Sequence, residues 1–116
     1  MFKVVKRDGE VASFNIGKIT NAIEKAFKAT DKQFNTDIIE LLGLRVTADF
    51  QNKIKDSLID VESIQDSVET VLEQSGYSDV AKAYILYRKH REKIRNMKST
   101  ILDYKDIVNS YVKVED

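Results

Sequence analysis

Apolar residues recur at every third or fourth position along most of this chain, and its first fourteen residues follow a different pattern. There, two β-prone runs between Phe2 and Phe14 flank Asp8-Gly9, a dipeptide suited to the central positions of a two-residue hairpin turn. Asn15 follows where a helix N-cap belongs, and Ile16, Ile19, Ile23 and Ala26/Phe27 then mark one face of a helix running to about Lys28. After a polar connection from Thr30 to Asn35, a second helix is expected from Thr36, with Ile39, Leu42, Val46, Phe50 and Ile54 on one face. Gly43 interrupts its interior at a cost of ~1 kcal/mol relative to alanine.

Asp60 is placed to cap a third helix striped by Ile64, Val68, Val71 and Leu72, with Glu62 in its first turn and Ser75-Gly76 as its stop. Ser78 is placed to cap a fourth, with Asp79 in the first turn and Val80, Tyr84, Tyr87 and Ile94 along one side. From Ser99 onward the pattern reads as one more short helix or strand without a cap, as if cut from something longer. The expected fold is α+β and mostly helical, a small N-terminal hairpin or sheet capping a bundle of about four helices. Residues 1–98 form the expected domain, and 99–116 a linker or the start of a following catalytic domain.

Composition narrows the chemistry. With 116 residues, 42% hydrophobic and 33% charged, the chain suits one ordinary globular domain. There is no cysteine, so disulfides, thiol catalysis and cysteine-ligated metals are excluded, and His90 is a lone imidazole. No segment approaches the ~18 apolar residues of a membrane helix, and Met1 leads straight into strand-like sequence, so a cytoplasmic location without membrane contact is expected. No P-loop, hydrolytic triad or carboxylate cluster is present, which argues against catalysis by these residues and against a metal site.

Nineteen Lys and Arg balance nineteen Asp and Glu. Positive charge is nevertheless concentrated locally: Lys82, Arg88, Lys89, Arg91, Lys93, Arg95 and Lys98 face Glu92 alone between positions 82 and 98. That run has three readings: a solvated face favoured by the helix dipole, a docking surface, or a nucleic-acid-binding helix such as a repressor module carries. The even overall balance weakens the last of these.

A second concentration of cations is Lys6, Arg7 and Lys18, gathered at the hairpin and the opening turn of the first helix, whose free N–H groups add partial positive charge. Such a set suits a polyphosphate, which Arg grips through paired hydrogen bonds. The same residues have plainer readings. In a two-residue hairpin Lys6 and Arg7 point to opposite faces, and Arg7 sits across the turn from Glu10 as a surface ion pair. Asn15 serves as a helix cap, Gln65 reads as either ligand contact or helix surface, and Tyr84 and Tyr87 read as core.

Val4-Val-Lys-Arg-Asp-Gly9, followed by Phe14-Asn15 and Lys18-Ile19, resembles the opening of ATP-cone domains. The resemblance continues in the family's order at Val61–Glu69 and Ala81–Arg88, covering about residues 3 to 95. The Tyr84-Ile-Leu-Tyr-Arg88 form and the tail Ser99–Asp106 are most similar to the anaerobic (class III) ribonucleoside-triphosphate reductases. The resemblance implies a sheet-capped helical bundle binding ATP or dATP as allosteric effectors, with Mg2+ where the triphosphate carries it. It also implies control of the overall activity of a ribonucleotide reductase catalytic domain in the same, homo-oligomeric parent.

By motif position, the resemblance assigns Lys6, Arg7 and Lys18 to the phosphates, Asn15 to the neighbourhood of the adenine, and Val61 and Gln65 to the nucleotide. It calls for one basic residue near the end of the fourth helix, from Arg88, Lys89, His90 and Arg91. Two departures bear on affinity or on ATP/dATP discrimination: Ala12 stands where many members carry glutamate, and Val61 where some carry threonine.

Overall fold

The computed structural model describes the backbone of residues 1–115 and the side chains of residues 1–98. The elements follow in the order β1 (Lys3–Val5), β2 (Val11–Ser13), α1 (Ile16–Ala29), α2 (Thr36–Asp49), a 3-10 turn (Gln51–Lys53), β3 (Leu58–Asp60), α3 (Val61–Gln74) and α4 (Ser78–Glu115). The fold is thus mostly helical α+β with a small sheet, as expected, and that sheet has a third strand, β3, which the residue pattern did not mark. Two compact units result, Met1–Ile85 and Leu86–Asp116.

The sheet runs in the order β2-β1-β3, with β1 antiparallel to β2 and parallel to β3. The hairpin between β1 and β2 differs from the expected two-residue turn. Gly9 N–H donates to Lys6 O at 2.9 Å and Lys6 N–H to Glu10 O at 2.7 Å, so Arg7 and Asp8 are the central residues. Gly9, at φ +88°, is the left-handed residue that follows a type I turn as a bulge. The turn with positive φ at both centres lies instead at Asp56 (φ 53°) and Ser57 (φ 60°), between reciprocal 2.9 Å bonds joining Lys55 and Leu58. Ser57 O then accepts from Lys3 N–H at 2.9 Å, which fixes β3 against β1.

Asn15 and Asn35 cap α1 and α2 by accepting from Gly17 N–H at 2.9 Å and Ile38 N–H at 2.8 Å. The two other expected caps do not form. Asp60 makes no side-chain cap bond, although its backbone is extended like that of the two asparagine caps. Ser78 Oγ donates to Glu73 Oε2 at 3.3 Å, so its hydroxyl serves the preceding helix end. After Ser99 there is no separate element: α4 runs through, and no Gly or Pro after Gly76 stops it.

The helical stripes bury Ile19, Ile23 and Phe27 of α1, Ile39, Leu42 and Val46 of α2, Ile64, Val68 and Leu72 of α3, and Val80, Ala81 and Tyr84 of α4. Tyr87 leaves the predicted stripe and is 41% exposed. Ile54 lies beyond the end of α2, packed on the core from the segment after the 3-10 turn. Gly43 has its reason in the packing of α1 on α2: a Cβ there would stand 2.7 Å from Thr20 Cγ2. Close approach outweighs the glycine's helix penalty. No helix among the described residues is long and apolar enough to cross a membrane.

Two aromatic groups brace the first unit. Phe50 meets Phe2 and Phe14, each at 5.6 Å between ring centroids, beneath the sheet. Phe27 meets Phe34 at 5.7 Å and Tyr77 at 5.0 Å at the other end. There Lys32 Nζ lies 5.5 Å from the Tyr77 ring centroid and 3.0 Å from Asp79 Oδ1.

The hydrogen bond from Lys32 is the main cause that holds the Asp79 carboxyl below its ordinary value. A depressed folded-state value means the ionised form favours folding. That contribution is complete above the unfolded-state value and fades as pH falls through the folded one. Lys32→Met is expected to return the Asp79 titration midpoint, followed by carboxyl-carbon NMR, upward to the ordinary aspartate range. A midpoint that stays put refutes this origin of the shift.

Candidate functional site

A cavity of about 260 Å3 opens between the sheet, the start of α1 and the start of α3. Its buried members are apolar, with Ile19, Ile64, Val68 and the Tyr84 ring, and half-buried Val4, Ala12 and Ala22 extend the surface. Its exposed members are polar: Lys6, Ser13, Asn15 and Lys18, with half-buried Gln65 and Val61 on the α3 side. An apolar floor under a few convergent polar groups is the usual composition of a small-molecule site.

Local sequence explains this placement. Asn15 ends the extended run after β2 and starts α1, so its side chain caps the helix and borders the cavity at once. The cap uses Oδ1, which leaves the amide Nδ2 as a donor. Gly17 suits the cap, since a Cβ there would stand 3.0 Å from Asn15 Oδ1. Alone among the four described α-helices, α1 has no acid in its first turn, whereas α2, α3 and α4 carry Asp37, Glu62 and Asp79. The positive end of its dipole is therefore uncompensated and is reinforced by Lys18.

Lys6, Asn15, Lys18, Val61 and Gln65 are thus brought to one cavity. Arg7 lies beside it. With Lys6, it borders an adjoining groove of about 400 Å3 that also includes Val5, Asp60, Val61 and Glu62. Its Nη2 donates to Gln65 Oε1 at 2.7 Å, and its Nε is 3.5 Å from Glu62 Oε1. The alternative pairing of Arg7 with Glu10 does not form, because as first loop residue Arg7 turns toward α3. Glu10 N–H instead donates to Asp8 Oδ1 at 3.0 Å, within the loop.

Arg88, Lys89 and His90 belong to the second unit, where Arg88 is half-buried and the other two are exposed. Among the described residues no group of three or more His, Asp or Glu gathers as a metal set. Sequence reasoning missed Ser13, Ala22 and Tyr84 as cavity-lining residues. Tyr84 was legible only as core, which it also is, being buried. Both departures from the family pattern, Ala12 and Val61, fall on the cavity wall.

Comparison with known proteins places this geometry in context. The profile of the ATP cone domain family matches residues 2–93. The chain is 43% identical over 99 residues to the ribonucleoside-diphosphate reductase subunit alpha of Chlamydia pneumoniae, covering 79% of this chain and 9% of that protein. It is 45% identical over 101 residues to a vitamin B12-dependent ribonucleoside-diphosphate reductase of Thermoplasma acidophilum, covering 83% and 13%. With the anaerobic ribonucleoside-triphosphate reductase of Haemophilus influenzae the identity is 38% over 103 residues, covering 86% and 14%. The chain spans roughly a tenth of the length of these curated relatives.

Proposed function

The chain belongs to the ATP-cone domain family, and from that premise we propose that it binds ATP and dATP as allosteric effectors and regulates an attached ribonucleotide reductase. The observation that carries this reading is one cavity with an apolar floor and, at its mouth, two lysines and an uncompensated helix N-terminus. The base and sugar lie on the floor and the phosphates turn toward Lys6, Lys18 and the first N–H groups of α1. Asn15 offers its free amide N–H to the base, and Gln65 faces the ligand from α3. A Mg2+ ion arriving with the triphosphate takes its ligands from phosphate oxygens and water.

ATP and dATP differ by one hydroxyl, so a switch between them requires that this group change the relative stability of two conformations or assemblies. A coupling of about 1–3 kcal/mol is typical of such effectors. The regulated catalytic domain lies elsewhere in a longer, homo-oligomeric parent, with residues 1–98 as the sensor and 99–116 as its connection. Among the reductase classes represented by its relatives, the anaerobic triphosphate reductase is the parent we favour, on the Tyr84–Arg88 and Ser99–Asp106 motifs.

Calorimetric titration of the 116-residue chain with ATP, dATP and GTP tests the reading. Saturable binding of both adenine nucleotides, at least tenfold tighter than GTP, is expected for a specific adenine site. Equal, weak and heavily salt-dependent heats from all three would sink it, since that is how unspecific phosphate attraction behaves.

A further inference from the structure

The groove beside the cavity has a charge pattern that the nucleotide reading leaves unexplained. A phosphate site is expected to collect cations, yet Lys6 and Arg7 share this groove with the carboxylates of Asp60 and Glu62. Glu62 occupies the first turn of α3, with its carboxylate 3.5 Å from Arg7 Nε. The same guanidinium donates from Nη2 to Gln65 Oε1 at 2.7 Å, and Gln65 borders the cavity. Both engagements use the Nε–Nη2 edge, one of the edges with which a guanidinium grips an oxyanion through parallel bonds.

We propose that Glu62 is the resident competitor for Arg7, so that a polyphosphate recruits the guanidinium only by displacing this carboxylate. The proposal rests on the nucleotide reading above and makes Glu62 a specificity-determining residue of that site. The exchange makes binding depend on the number of phosphates. A ligand with one phosphate is anchored by Lys6, Lys18 and the α1 N-terminus and draws little on Arg7. A triphosphate reaches further and competes for it. Because the Arg7 and Glu62 side chains are 31% and 59% exposed, their pairing is weak, and its loss changes affinity by a small factor and not by orders of magnitude.

The test is a double-mutant cycle on the 116-residue chain, with dissociation constants for AMP, ADP and ATP measured by calorimetry at one low salt concentration. Glu62→Gln is expected to tighten ATP binding about three- to fivefold, an exposed ion pair's worth, with a gain that shrinks from ATP to AMP and vanishes in an Arg7→Met background. Glu10→Gln, which removes a carboxylate not in contact with Arg7, is expected to give a smaller gain. Unchanged or weaker ATP binding by Glu62→Gln overturns the exchange. So does an equal gain in the Arg7→Met background, which would make Glu62 a mere source of repulsion, or an equal gain from Glu10→Gln. If the unsubstituted chain fails to bind ATP at all, the nucleotide reading falls and takes the exchange with it. ATP binding that is indifferent to Glu62 removes the exchange alone.

Discussion

Replacing Phe50 with alanine is expected to lower the unfolding free energy by about 3–5 kcal/mol, the usual cost of removing a buried phenylalanine. Phe50 is fully buried at the end of α2, and its ring meets Phe2 and Phe14 edge-on at 5.6 Å. Those two rings lie 5.0 Å apart just before β1 and just after β2, so one side chain ties the ends of the hairpin to the helices. Against a total stability of roughly 5–15 kcal/mol for a domain, the loss is large. Urea unfolding followed by circular dichroism measures it, and a loss under 1 kcal/mol contradicts the role of Phe50 in tying the hairpin ends to the helices. Because Phe14 also borders the cavity, any folded fraction of the variant is expected to bind nucleotide more weakly.

Replacing Lys6 and Lys18 together with methionine is expected to weaken ATP binding at least a hundredfold while leaving adenosine binding within about twofold. Each lysine contributes one charge-assisted contact to a phosphate, worth about 1.5–3 kcal/mol, so losing two exceeds a factor of a hundred. Methionine keeps the length and apolar stem of the side chain, so the cavity wall persists and the effect is confined to the phosphates. Parallel titrations with ATP and adenosine supply the measurement. Equal losses for both ligands point to a damaged cavity, and no loss for ATP removes the lysines from the site.

Much of the fold is legible in the residue pattern because helical burial repeats within the sequence. The stripes of α1 and α3, the Asn15 cap and the Ser75-Gly76 stop depend on neighbours two to four positions away. The third strand is not legible in this way. Leu58, Ile59 and Asp60 are too few to alternate, and their pairing partner lies more than fifty residues earlier in the chain. Asp56-Ser57 takes the left-handed turn without glycine, so the strongest turn signal is missing where that strand begins. Conversely, Asp8-Gly9 signals a turn correctly but not its type, since the bonding of Lys6 to both Gly9 and Glu10 sets the loop length.

The site divides along the same line. The sequence by itself determined which residue types gather near the first helix, namely cations, a capping amide and an N-terminus without acids, because these are local features of one turn and one helix start. The family resemblance, and not spacing, assigns Val61 and Gln65 to the site. Only the tertiary structure decided that α3 lines the cavity with them, and that Arg7 is held by Glu62 and Gln65 and not by Glu10. Which of two carboxylates a guanidinium meets depends on how distant segments pack, and no spacing along the chain encodes that distance.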